Sequence, residues 1–128
     1  MAYPAKYRYT KEHEWIEFDG GSATVGITDY AQSSLGDIVF VDLPRPGAVL
    51  ERGKVFGSVE SVKAVSDIYA PASGAVTAVN EELTSAPEKI NADAHAAWLL
   101  KMTLSDPSEL AGLLDAAAYE AYVREETH

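Results

Sequence analysis

Cysteine is absent from the 128 residues, so disulfides, thiolate metal sites and cysteine nucleophiles are excluded within the chain. Positive charge is scarce: ten lysines and arginines face twenty acids, for a formal net charge of −10. That balance disfavours nucleic acid, whose phosphates call for clustered bases. It also disfavours anionic membrane surfaces, and it favours solubility or partners with basic docking faces. No apolar run approaches the roughly 18 residues of a membrane helix. The N-terminal segment has neither a signal-type apolar core nor an Arg-rich transit pattern, which points to a bacterial cytoplasmic protein or an already processed one. Phosphate loops and nucleophile elbows are missing as well. The three histidines, His13, His95 and His128, do not stand at ligand spacing. His13-Glu14 therefore reads as a structural or docking pair, not a metal site.

What is present suffices for one domain, expected over residues 1–128, with 47% apolar residues to build a single core. Residues 6–10 and 15–18 alternate apolar with polar, the signal of half-buried strands. Asp19-Gly20-Gly21 is a hairpin turn, and residues 22–27 return as a strand. Residues 28–35 form a short helix, capped by Thr28 or Asp29 and stopped at Gly36. The continuous run at 37–43 predicts a strand buried on more than one side. Further short strands follow at 48–51, 54–60, 67–70, 75–79 and 98–104, with Asn80 capping one helical turn that Pro87 ends. Asp106-Pro107-Ser108-Glu109 predicts the start of an amphipathic C-terminal helix with Leu110, Leu113, Leu114, Ala117 and Ala121 on one face. Glycine precedes a β run at Gly36 and again at Gly74, a faint echo that fits two similar sheets joined at residues 57–70. The class is mainly β, a small sandwich or barrel with peripheral helices. Trp15 and Trp98 read as core or groove-lining, and Glu12, Glu14 and Glu17 as a solvated strand face.

Between residues 55 and 88 stand five acids (Glu60, Asp67, Glu81, Glu82, Glu88) and one base, Lys63. The lysine lies between two strand-like runs in GSVESVKAVSDIYA, residues 57–70. A lysine acting as nucleophile in its own right needs desolvation or a neighbouring cation. Glu60 and Asp67 work the other way, which argues against catalysis but not against acylation by a separate enzyme. Val62-Lys63-Ala64 contains no Gly, Asn or Asp, so a primed hairpin turn is disfavoured and a stiffer type I turn fits. Lys63 is thus expected to be a covalent attachment point at an exposed tip.

Four runs carry a family resemblance: YTKEHEW at 9–15, ATVGITDYAQ at 23–32, LGDIVFVDLP at 35–44, and VESVKA at 59–64 continued by SDIYAP at 66–71. Asn80, Pro87, Ile90-Asn91, Asp93 and Trp98 follow in the same order. On these the chain resembles, along nearly its whole length, the H proteins of the glycine cleavage system. The resemblance implies the barrel-sandwich hybrid of lipoyl and biotinyl carriers, two related half-sheets with the lysine at a hairpin tip. It implies lipoic acid joined to Lys63 as an amide, with Glu60, Val62 and Ala64 recognised by the lipoate ligase or lipoyl transferase that attaches it. It further implies three partners: a pyridoxal-phosphate glycine decarboxylase, a tetrahydrofolate-dependent aminomethyltransferase, and a flavin-dependent dihydrolipoamide dehydrogenase. Sulfur and redox chemistry then belong to the cofactor and those partners, in keeping with a chain that lacks cysteine.

Biotin carriers flank their lysine with methionines, and this chain has Val62 and Ala64 there. Lipoyl domains of 2-oxo acid dehydrogenases tend to carry Asp-Lys-Ala and linkers, which are also missing. In one loop the chain departs from the family: Ala94-His95-Ala96-Ala97 stands where proline and glycines are usual before the tryptophan. Three readings follow. The first is a non-enzymatic lipoyl carrier of glycine cleavage; the second is a lipoyl donor or relay for other complexes; the third is an unlipoylated interaction module.

Overall fold

The alternation around Trp15 folds into a hairpin of β2 (Glu14–Asp19) and β3 (Ser22–Ile27), with Asp19 paired to Ser22 across Gly20-Gly21. Gly20 takes a φ of 60°, a left-handed angle that suits glycine. The computed structural model describes residues 3–126; His128 lies outside them. With β1 (Arg8–Tyr9), β5 (Val49–Leu50), β8 (Gly74–Val79) and β9 (Leu100–Leu104), the hairpin forms a six-stranded sheet in the order β1-β2-β3-β9-β8-β5. A second sheet has three strands, β4 (Ile38–Asp42), β6 (Val55–Ser61) and β7 (Val65–Tyr69), with β6 in the middle. Every pairing is antiparallel. The expected two-sheet carrier fold with peripheral and C-terminal helices is what the chain forms. The sheets are unequal, and the lysine hairpin lies within the smaller one instead of joining the two.

One apolar cluster, built on Ile16, Val25, Val76, Leu100 and Met102, fills the inner face of the larger sheet. A second joins Ile38, Val41, Val59 and Ile68 of the smaller sheet to Leu83 and Ile90, carried by α2 (Glu82–Ser85) and α3 (Lys89–Ala92). Phe56 packs against both. Each such buried aliphatic side chain contributes about 1.5–3 kcal/mol, which fixes the smaller sheet onto the body. Gly57 lets β6 approach β4 closely, since a β-carbon there would collide with the Asp42 carbonyl.

Helix α1 (Asp29–Leu35) forms where its caps predict: Thr28 Oγ1 accepts from Ala31 N at 3.2 Å, and Gly36 ends it with a φ of 82°. Several expectations need correction. Strand β4 is buried on one side only, because Val39 and Phe40 are half exposed around a bulge between Ile38 and Phe40. A continuous apolar run records apolarity, not which faces are covered. Asn80 does not cap α2 with its side chain; its Nδ2 donates to the Trp98 carbonyl at 2.9 Å, and α3 follows as a second short helix.

The C-terminal helix is not continuous from Asp106. Asp106 does cap, but a 3₁₀ turn (Pro107–Gly112), ending at the extended Leu113, precedes α4 (Ala116–Glu126). Glu109 is drawn away from the capping box by Ser73, whose N and Oγ donate to its carboxylate at 2.7 and 3.1 Å. Ala117 and Ala121 are exposed, and Tyr119 is the buried residue of α4. Tyr119 stacks on Tyr9, with ring centroids 4.7 Å apart. Its hydroxyl lies 2.7 Å from both His13 Nδ1 and Thr28 Oγ1. His13 Nε2 is 2.9 Å from the Glu126 carboxylate. Of the structural or docking roles expected of it, His13 has a structural one, tying α4 through Tyr119 and Glu126 to Tyr30 of α1. Burial lowers its pKa, against an opposing pull from Glu126.

Candidate functional site: the β6–β7 hairpin tip

Strands β6 and β7 end at Ser61 and Val65, leaving Val62-Lys63-Ala64 as the tip. None of these three has a positive φ, so the turn is made without a left-handed residue, as the lack of glycine predicts. Ser61 closes it. Its N donates to the Ala64 carbonyl at 2.7 Å, while its Oγ accepts from Ala64 N at 3.1 Å and Lys63 N at 3.3 Å. Val62 N donates to the Asp37 carbonyl at 3.0 Å, which ties the tip to the residue before β4. The backbone of Lys63 is thus fixed on both sides. Its side chain is exposed, and its ammonium makes no ion pair, hydrogen bond or ring contact among the described residues.

Glu60, Val62 and Ala64 are all exposed beside it. Glu60 pairs with Phe40 on one side and Val65 on the other, so these three side chains share the outer face of the sheet. Asp67 lies one row further on, opposite Ser58. Neither acid forms an ion pair with Lys63.

Ser61 was not singled out in the sequence, although a serine at the start of a glycine-free tip is a known side-chain-to-backbone turn signal. Replacing Ser61 with alanine removes the acceptor of two tip amides and is expected to cost about 1 kcal/mol. Hydrogen exchange on the tip peptide should be faster in Ser61→Ala, with the rest of the chain unchanged. Equal protection in both proteins would contradict this role.

Glu14 is the second unforeseen residue. Placed in the sequence on a solvated face, it is 1% exposed. Its carboxylate accepts from Thr10 Oγ1 at 2.5 Å and from Tyr69 N, at the end of β7, at 3.1 Å. Burial raises its pKa from an ordinary 4.5 to about 7, with the two hydrogen bonds opposing. Period-two alternation was the available signal, because Glu14 shares a strand face with the core residues Ile16 and Phe18. Glu14 anchors the strand leading away from Lys63 to the larger sheet. Of the other two acids assigned to that face, Glu12 is exposed and Glu17 pairs with Lys6 at 3.3 Å.

The unusual loop is also held. The Ala94 carbonyl accepts from Trp15 Nε1 at 3.1 Å, and the His95 carbonyl from the Tyr7 hydroxyl at 2.8 Å. Asp29 N donates to His95 Nε2 at 3.2 Å, a contact that needs neutral imidazole, and burial lowers the His95 pKa accordingly. Trp15 is core, while Trp98 lines a groove of about 430 Å³ with Leu83, Ala96 and Ala97. Among the described residues no cluster of His, Asp and Glu could hold a metal ion, and no helix is long and apolar enough to cross a membrane.

A family model described as glycine cleavage H-protein matches residues 7–126. The chain belongs to that family. It is 73% identical over 127 residues to the glycine cleavage system H protein of Acidobacterium capsulatum, covering 99% of this chain and 98% of that one. It is 66% identical over 126 residues to that of Koribacter versatilis, covering 98% of each. A crystal structure of a glycine cleavage system H protein from Mycobacterium marinum superposes with a TM-score of 0.87 at 36% identity, over 98% of this chain and all of that one. As a member of the glycine cleavage H-protein family, the chain is a non-catalytic lipoyl carrier that shuttles the aminomethyl group within that system.

Proposed function

We propose that Lys63 is the residue that bears the lipoyl group. The observation that carries this reading is an exposed, uncommitted amine on a tip whose backbone is fixed by Ser61 and Asp37. The residues fit the group: an amide needs an accessible primary amine, and Lys63 is exposed, its stem running past Gly36, which has no side chain to crowd it. In the attachment step the deprotonated Lys63 amine attacks an activated acyl carbon. A C–N bond forms, the bond to the activating group breaks with its electron pair on the leaving group, and the surplus nitrogen proton goes to solvent or base. In this reading the attaching enzyme, a lipoate ligase or lipoyl transferase, recognises Glu60, Val62 and Ala64, which are exposed beside Lys63.

Once bound, the lipoyl group supplies a dithiolane that can accept a one-carbon amine unit, release it and be reoxidised. The chain's own residues supply a rigid mount: β6 and β7 hold the tip, Ser61 closes it, and Glu14 anchors β7. The partners in this reading are a pyridoxal-phosphate glycine decarboxylase, a tetrahydrofolate-dependent aminomethyltransferase and a dihydrolipoamide dehydrogenase. The whole chain acts as one carrier domain.

Incubating the purified chain with a lipoate ligase, lipoate and ATP, then mapping peptides by mass, tests the assignment. One lipoyl addition is expected, on the peptide containing Lys63. Addition at another lysine, or none, would overturn it.

A further inference from the structure

Four of the six large apolar side chains left exposed on the described surface, Val39, Phe40, Val62 and Val65, gather at the tip end of the smaller sheet. The register explains the gathering. Phe40, Glu60 and Val65 are cross-strand partners and form one outward row. The bulge turns Val39 outward beside it, and Val62 is 70% exposed on the tip itself. The next outward row is Asp42, Ser58 and Asp67, two acids with a serine between. Rows that alternate with these turn inward: Val41 and Val59 are almost wholly buried. The face is therefore an apolar strip containing one acid, bordered by two more, with Lys63 at its end. Clustered exposed apolar groups of this kind mark interaction sites more often than singly scattered ones do.

Reach decides what covers it. An unmodified lysine side chain is short, so the enzyme that acylates it must bring its own reacting centre down onto the hairpin tip. Enzymes acting afterwards meet the far end of a long arm and can stand off from the sheet. The surface touching Lys63 is therefore covered during attachment above all. Charge narrows the choice further, because three acids around an apolar strip complement a surface in which Lys and Arg ring apolar residues.

We infer that the outward row Phe40–Glu60–Val65, with Val39 and Val62, is the landing surface for the enzyme that attaches the lipoyl group. That enzyme meets it with apolar side chains rimmed by lysine or arginine. The inference rests on Lys63 being the attachment point, and extends recognition from the tip to β4 and β7.

The test is the initial rate of lipoylation of the unmodified chain by a lipoate ligase with lipoate and ATP, followed by intact mass. In Phe40→Ser, kcat/KM for the carrier chain is expected to fall about tenfold through KM, as truncation of a buried interface aromatic does. Val65→Thr keeps shape and strand preference and is expected to lose about threefold, so a folding defect in the first variant does not remove the test. Val49→Thr, at the most exposed of the six positions but on β5 of the other sheet, should be modified like wild type. Rising salt should slow the wild type, and slow Asp42→Asn/Asp67→Asn less.

Wild-type rates in Phe40→Ser and Val65→Thr, with Lys63 still the modified residue, would overturn the surface alone. A wild-type chain modified elsewhere would overturn the attachment point itself. Normal lipoylation of both variants combined with slowed aminomethyl transfer would assign the face to a later partner, against this inference. A salt-independent wild-type rate would remove the basic rim.

Discussion

Lys63→Arg is expected to take glycine cleavage, reconstituted with the three partner enzymes, down to the level seen without any carrier, and to leave the fold intact. The two outcomes have separate causes. Arginine keeps the positive charge and most of the aliphatic stem, so long-range steering by the surface changes little. Its guanidinium is delocalised and always protonated, and does not form the amide that an acylated lysine does. The variant therefore stays unmodified by mass under conditions that modify wild type fully. Stability should shift by no more than about 0.5 kcal/mol, the usual range for exposed positions without special contacts. Lys63 meets that description, as its ammonium has no partner among the described residues. Turnover above the carrier-free level would mean that another residue bears the group. A large fall in melting temperature would mean that the side chain is packed, contrary to its exposure.

The tip could be read from sequence because its causes are local. Thr28 and Gly36 at the ends of α1, Gly20-Gly21 in the first hairpin and the glycine-free turn at Lys63 each act within a few residues of themselves. The misread positions share the opposite property. Glu109 left its capping box for Ser73, 36 residues earlier. Asn80 turned from a cap to the Trp98 carbonyl, 18 residues on. The apolar run of β4 shows no sign that one side of it would stay uncovered, since that depends on where α2 and α3 pack. The predicted helical face of the C-terminus split because Leu110 joins the main core while Leu114 bridges to Tyr9. For Glu109, Asn80 and the C-terminal face a distant partner outweighed a local preference, as tertiary contacts commonly do, while for β4 no partner covers the outer side. The exposed face of β4 is also what supplies Phe40 to the proposed landing surface, so that misreading hid a functional feature as well as a structural one.

Glu14 extends the same point to energetics, and Glu14→Gln is expected to be more stable than wild type at pH 8 by on the order of 3 kcal/mol. Burial holds the carboxyl's pKa near 7 in the folded chain, against an ordinary 4.5. Between those values the folded state keeps a proton that the unfolded chain has released. Stability from this group therefore falls as pH rises through the window, and the full cost is present above it. Below about pH 4.5 the carboxyl is neutral in both states and the cost is gone. Glutamine is neutral throughout, and its amide oxygen can still accept from Tyr69 N. The difference between the two proteins should thus be close to zero at pH 4 and grow to its full size by pH 8, in urea midpoints measured across that range. All other titrating groups are common to both proteins and cancel. A difference that does not change with pH would show that the Glu14 charge is not the source. If the dependence holds, the fold carries an ionisable group at a cost, at the joint between the larger sheet and the strand leaving Lys63.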